Sequence, residues 1–264
     1  MKRKIFIALV ALITLCSVEK ALAWGGLGHS VIAYYAEQLL SPETKAKCHK
    51  YLRSSIAYQA SWMDQYRSIE GYTDCDWWHS TNVDAKGKVV VGKPKTGAYH
   101  IERIRKEMAN GAYKSMSDSL VKINLQYLIH MIGDHHCPVH IRWDKASHPQ
   151  YFYKLKRKGK NLSIHRFWDG SPGFARKGWH CEKYYDSFSP LPKGKVKKLQ
   201  KGTGYDWTQE TANVSRQCFN LLSEGTDVAK LSKEDIESIH SIVDLQLQRA
   251  AYRLAYVIEE IFKY

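Results

Sequence analysis

The stretch DSLVKINLQYLIHMIGDHHCPVH, residues 118–140, decides how this chain is read. From Asp118 to His136 the apolar residues recur with the period of a helix. Ser117 is placed to cap the first turn, and Pro138, which has no amide hydrogen, marks the end. Within such a helix His130 and Asp134 stand four apart, so an imidazole and a carboxylate project from one face. His140 follows just past the proline. Farther along, His165 and Asp169 repeat the same step.

Working outward, the same periodicity predicts helices over Ser30–Leu40, Tyr58–Arg67 and Ala98–Asn110. Another begins at Ser41-Pro42-Glu43, an N-cap followed by proline in the first turn. A further helix, capped by Asp206, is expected to run to Ser223. The last and longest starts at Ser232 and carries Ile236, Ile239, Val243, Leu247, Ala250, Leu254, Val257 and Ile261 at three- and four-residue steps. Residues 76–94 and 141–162 hold Gly, Pro and short β-branched runs such as Val89-Val90-Val91, which predict a hairpin and long loops. The expected fold is mostly α, a single domain of packed helices with a small hairpin and long loops.

The start of the chain has another purpose. Lys2, Arg3 and Lys4 precede an apolar run from Ile5 to Cys16, and Ala21-Leu22-Ala23 offers a small-x-small cleavage site. That order predicts a signal peptide over residues 1–23, and hence a protein secreted or periplasmic after cleavage following Ala23. No later stretch is long and apolar enough to span a bilayer. Residues 24–264 are then the working domain, ample for a large core. Losing four cations and one anion lowers the net charge from +14 to +11. So basic a chain favours polyanions such as nucleic acid or anionic surfaces. The charge is concentrated at Lys154, Lys156, Arg157, Lys158 and Lys160 and again at Lys193, Lys195, Lys197, Lys198 and Lys201. These clusters either track a polyanion or are solvated loops. Five cysteines remain beyond residue 23, an odd number, so at least one has no intramolecular partner.

Imidazole and carboxylate together suit zinc. There is no Cys-x-x-Cys pair and no Gly-x-Gly-x-x-Gly, so thiolate zinc knuckles, iron–sulfur clusters and a dinucleotide site are not supported. The new terminus exposed by cleavage would read Trp24-Gly25-Gly26-Leu27-Gly28-His29. With Ser61-Trp62-Met63-Asp64-Gln65-Tyr66-Arg67, Trp78-His79, His130-x3-Asp134-x5-His140 and His165-x3-Asp169, the chain resembles the zinc-dependent, single-strand-specific nucleases of the S1/P1 type.

The resemblance implies a cleft holding three zinc ions. Asp64, His79, His130 and Asp134 would hold one. Trp24, His29 and a bridging Asp134 would hold the second, with Trp24 binding through its own amino nitrogen and carbonyl oxygen rather than its indole. His140, His165 and Asp169 would hold the third. The implied activity is endonucleolytic hydrolysis of single-stranded DNA or RNA, with 3′-nucleotidase action also open, by a zinc-bound hydroxide attacking phosphorus in line. Arg67 matches a family arginine and either binds a phosphate oxygen or serves a helix salt bridge.

Two departures stand out. Asn82 replaces an aspartate thought to assist the attacking water, and an amide can orient water but cannot act as a base. Ser80 replaces an aromatic found in many members. The segment 144–160 carries Tyr151, Phe152 and Tyr153 beside Lys154, Lys156, Arg157 and Lys158, a set expected to contact substrate or simply to pack. A zinc-dependent phospholipase C shares the N-terminal tryptophan and three-zinc pattern. Asp169 in place of a glutamate and the long His140–His165 interval favour the nuclease. A basic nucleic-acid-binding protein with weakened catalysis is the third reading, supported only by Asn82 and Ser80.

Overall fold

A computed structural model describes residues 24–264, so the predicted signal peptide, residues 1–23, lies outside the described residues. Twelve helices follow one another among those residues. They are α1 Gly25–Leu39, α2 Pro42–Leu52, α3 Ile56–Gln59, α4 Trp62–Tyr66, α5 Gly97–Met108 and α6 Asp118–Asp134. The second half adds α7 Ile164–Asp169, α8 Ser171–Ala175, α9 Cys181–Ser187, α10 Lys193–Gln200, α11 Gly204–Leu221 and α12 Lys233–Phe262. Strand is confined to two pairs, β1 Thr81–Asn82 with β2 Ile141–Arg142, and β3 Lys154–Arg157 with β4 Lys160–Ser163. The fold is mostly α, as the periodicity predicts.

Local signals explain the boundaries. Ser117 accepts the Leu120 amide hydrogen and so caps α6. Ser41 caps α2 through the Thr44 amide. Ahead of α11 the cap is Thr203 rather than the expected Asp206, which lies inside the first turn and answers from three residues on to complete a capping box. Ser232 and Asp235 repeat that device at α12. The apolar stripe of α12 is buried along its length, from Ile239 through Leu247 and Leu254 to Ile261. Each such side chain contributes roughly 1.5–3 kcal/mol of transfer free energy. α1 lies along α12, and α6 packs against α12, α5 and α2, so the two most regular helices flank the one that carries His130 and Asp134.

Three other expectations change. The helix read over Tyr58–Arg67 is two short ones, α3 and α4, parted at Ala60 and Ser61. The second is restarted by Ser61 in a non-helical conformation. The Val89-Val90-Val91 run makes only an isolated bridge, Val83 to Val89. The hairpin is β3–β4, turned through Lys158 and Gly159, both at positive φ. The second lysine cluster, for which a solvated loop is one of the two sequence readings, is the helix α10, and none of its residues is buried.

A buried arginine ties the helices together behind the site. Arg253 on α12 is 1% exposed, yet each of its three side-chain nitrogens has a partner. It bonds the Leu199 carbonyl at 3.0 Å, the Glu210 carboxylate at 2.6 Å and His136 Nε2 at 2.9 Å. His136 accepts there because its Nδ1 donates to the Ile132 carbonyl at 2.6 Å. One guanidinium thus joins the end of α6 to α10, α11 and α12. All five cysteines of the described residues are free thiols.

Candidate metal centre

Asp134, at the last turn of α6, is wholly buried and is surrounded by imidazoles. Its Oδ1 lies 3.2 Å from His29 Nε2 and 3.8 Å from His140 Nδ1. Its Oδ2 lies 2.9 Å from His79 Nδ1 and 3.3 Å from His130 Nε2. Asp64 stands 3.8 Å from both His79 and His130. On the far side, Asp169 is 3.4 Å from His140 and 3.0 Å from His165. Six stretches of chain converge here: α1, α4, the turn Thr73–His79, α6, the turn Pro138–His140, and α7. The structure therefore brings His29, Asp64, His79, His130, Asp134, His140, His165 and Asp169 into one cluster.

Trp24 reaches the cluster from the start of α1. It is fully buried, and its indole Nε1 donates to the Gly133 carbonyl at 2.9 Å. The side chain therefore has a task of its own, fastening the start of α1 to α6 one residue before Asp134. Two other ligand-type side chains are oriented from behind. His130 Nδ1 donates to the Ala60 carbonyl at 2.8 Å, at the break between α3 and α4, which aims Nε2 into the cluster. His140 Nδ1 donates to the His79 carbonyl and leaves Nε2 facing Asp169. A backbone acceptor on one nitrogen sets the tautomer that presents the other as a lone pair.

Charge and burial pull these groups in opposite directions. Burial lowers the pKa values of His29 and His79. Burial is the largest single influence on His130 and His140 and opposes their charged forms, but Asp134 together with Asp64 at His130 and Asp169 at His140 outweighs it, and both are pushed up to about 9. Burial would raise Asp134, yet the charges of His130 and His140 hold it well below the usual carboxylate range. The cluster is thus a sink for positive charge. Many of its donor atoms have no hydrogen-bond partner although fully enclosed: both ring nitrogens of His29, both oxygens of Asp64, His79 Nε2, Asp134 Oδ1, His140 Nε2 and Asp169 Oδ2. Buried polar atoms without partners cost roughly 1–3 kcal/mol each, so such a concentration calls for a bound cation. Two groups have ligand atoms within 4.8 Å of one another, His29-Asp64-His130 and His79-His130-Asp134. A third grouping sets the Cys137 thiol beside His140 and Asp169, a neighbour that sequence spacing does not flag, although burial pushes that thiol's pKa well up and so disfavours the thiolate that ligation needs. The donor set, imidazole with carboxylate, fits zinc.

Glycine at position 133 is a requirement of this packing. A Cβ there would sit 2.8 Å from His29 Nδ1, and His29 cannot retreat because its ring stacks on His130 with centroids 3.9 Å apart. Gly133→Ala is expected to displace His29 and to lower metal affinity by about 10- to 100-fold, the usual cost of disturbing a ligand's support. Zinc content after dialysis measures this; wild-type retention in the variant would show that His29 is not positioned by α6.

The cluster opens to solvent at His165 through a cavity of ≈ 670 Å³. Arg67, Asp76, His79, Ser80, His140 and Arg142 are among the residues lining it. Arg67 lies 3.9 Å from Asp64 and 3.7 Å from Asp76. Tyr151 also lines the cleft, its hydroxyl donating to the Val139 carbonyl at 3.0 Å. Asn82 is exposed on β1 and borders a neighbouring cavity instead. Lys154, Lys156, Arg157 and Lys158 belong to the β3–β4 hairpin and, with Tyr153, are not among the residues that line the cleft. Lys156 bonds Asn161 at 2.5 Å, and the Arg157 guanidinium lies over the Phe174 ring.

Helices converging on enclosed imidazoles and carboxylates, with one side open to a polar cleft, define a metal-dependent hydrolase. The S1/P1 nuclease family model matches residues 24–263, and the chain belongs to that family. It is a nuclease, hydrolysing phosphodiester bonds, with zinc as the family's metal. Nuclease S1 of Aspergillus oryzae is 23% identical over 276 residues, covering 92% of this chain and 93% of the relative. Nuclease PA3 of a Penicillium species and nuclease P1 of Penicillium citrinum are each 23% identical, over 90% of this chain and 97% of theirs.

Proposed function

We propose that residues 24–264, released from a signal peptide at residues 1–23, form a secreted three-zinc endonuclease acting on single-stranded DNA or RNA. The same cleft would allow 3′-nucleotidase action. One observation carries the reading: a single enclosed carboxylate, Asp134, has imidazoles of His29, His79, His130 and His140 on its two oxygens, as a shared ligand of two ions needs. Asp64, His79, His130 and Asp134 would hold one zinc, Trp24, His29 and Asp134 a second, and His140, His165 and Asp169 a third. Zinc bound there would supply Lewis acidity, lowering the pKa of water toward neutrality and balancing charge on phosphate oxygens.

The chain's own groups then do the rest. Arg67, at the cleft wall and tethered between Asp64 and Asp76, can offer two parallel N–H donors to a phosphate oxygen pair. Burial of Asp64, Asp134 and Asp169 keeps bulk water from screening their charges. Asn82, which borders the adjoining cavity rather than the cleft, can orient water or a base edge there by its amide. Tyr151 supplies an aromatic wall in the cleft, with Tyr153 two residues farther along the chain. Lys154, Lys156, Arg157 and Lys158 would receive backbone phosphates that leave the cleft. No helix of the described residues is long and apolar enough to cross a membrane.

The test is a comparison of purified protein on single-stranded DNA, RNA, duplex DNA and phosphatidylcholine, with zinc counted by atomic absorption. The proposal expects three zincs per chain and a strong preference for single strands. Equal rates on duplex and single strand, or hydrolysis of phosphatidylcholine alone, would overturn it.

A further inference from the structure

Trp77 lies two residues before His79, in the turn Thr73–His79, and is 49% exposed. Every other tryptophan of the described residues is buried or half-buried. An indole left in water at the edge of a site needs a reason, because burying it would be strongly favourable. Two cations approach its ring from separate parts of the chain. Lys95 Nζ, from the loop before α5, lies 5.8 Å from the ring centroid, and the Arg142 guanidinium, from β2, lies 5.7 Å away. No carboxylate among the described residues pairs with either.

Trp77 borders a cavity of ≈ 380 Å³ whose floor includes Val83 and Val90 and whose rim carries Asn82, Lys93 and Lys95. Arg142 lines both this cavity and the metal cleft, so the two adjoin. Next to the cluster, the residue after His79 is Ser80, which is buried and has no aromatic face to offer. An aromatic face, a short apolar floor and unpaired cations beside a phosphodiester-cleaving site match one chemistry. A nucleobase stacks on the ring while the flanking phosphate meets Lys95 or Arg142.

We propose that Trp77, with Lys95 and Arg142, forms a base-stacking subsite for a nucleotide neighbouring the one cleaved. The proposal rests on the nucleic-acid reading of the cleft. It makes single-strand selectivity partly a property of Trp77, since a base must leave its stack to reach the ring.

The test uses the zinc-loaded protein with Trp77→Ala and Trp77→Phe variants and three ligands. These are an oligothymidylate, the same oligomer with non-hydrolysable linkages, and bis(p-nitrophenyl) phosphate, a diester with no nucleobase. Trp77→Ala is expected to weaken binding to the non-hydrolysable oligomer, and to lower kcat/KM on the cleavable one, by about 5- to 150-fold. Turnover of the small diester should not change, and Trp77→Phe should recover most of the loss. Replacing single bases by abasic nucleotides should weaken wild-type binding at one position and leave Trp77→Ala indifferent there. Undiminished oligomer binding in Trp77→Ala, or an equal loss on the small diester, overturns the subsite. If wild type cleaves neither substrate but its binding shows the Trp77-dependent base effect, the subsite stands and the catalytic reading fails.

Discussion

A protein carrying even one residue ahead of Trp24 should bind one zinc fewer than the form that begins at Trp24, and should lose most of its activity. The proposed ligand at this position is the α-amino group, because the indole nitrogen is a donor only. In the structure that nitrogen is already committed, donating to the Gly133 carbonyl. An α-amine has an unperturbed pKa of about 7.7–8.0, so a metal can displace its proton near neutral pH. Within a peptide bond the same nitrogen is an amide whose lone pair is delocalised. Protease release of a native Trp24 terminus from a tagged protein should restore both zinc and turnover. A tagged protein with full zinc and full turnover would sink the N-terminal site. The structure also changes what Trp24→Ala should do. Backbone ligation alone implies a mild effect, but Trp24 is fully buried and bonded to α6. The substitution should therefore cost about 3–5 kcal/mol of stability, the usual range for removing a buried tryptophan side chain.

Stripping the metal should abolish cleavage and lower Tm together. The proposed ligands come from six separate stretches, so a bound ion stabilises the folded state and not the unfolded chain. At free zinc about a thousandfold above Kd, each site contributes about 4 kcal/mol. For a chain of this size that corresponds to a Tm change of roughly 10 °C per site. The metal-free protein should also show the cost of the cluster itself, with buried carboxylates and imidazoles left to partner one another. Calorimetry with chelator, then with zinc restored, reads the effect directly. Cleavage persisting in protein shown to be metal-free would falsify the metal-dependent mechanism, and an unchanged Tm would show that the sites do not tie the fold together.

Much of the fold is local and therefore visible in residue order. α6 and α12 follow from apolar period, from caps at Ser117 and Ser232, and from proline beyond the end of α6, all of which act within a few residues. α7 to α10 are short, with weak stripes: α8, α9 and α10 pack on α1 or α12, and α7 packs on the turn Pro138–His140, α8 and β4. Period cannot announce helices whose stability is borrowed from neighbours. The break between α3 and α4 was equally hidden. Its Ala60 carbonyl orients His130, a partner seventy residues away.

What the sequence determined by itself was the kinds of ligand and their local pairing: His130 with Asp134, and His165 with Asp169, each one helical turn apart. Only the tertiary structure decided that Asp134 stands among four imidazoles and that Arg67 and Tyr151 line the cleft while Asn82 and the hairpin lysines lie outside its lining. It also decided that Trp77 is exposed between two cations. The reason is the range of the forces involved. Helical spacing is set by bonds within a few residues, whereas burial, exposure and convergence are set by contacts among segments far apart in the chain.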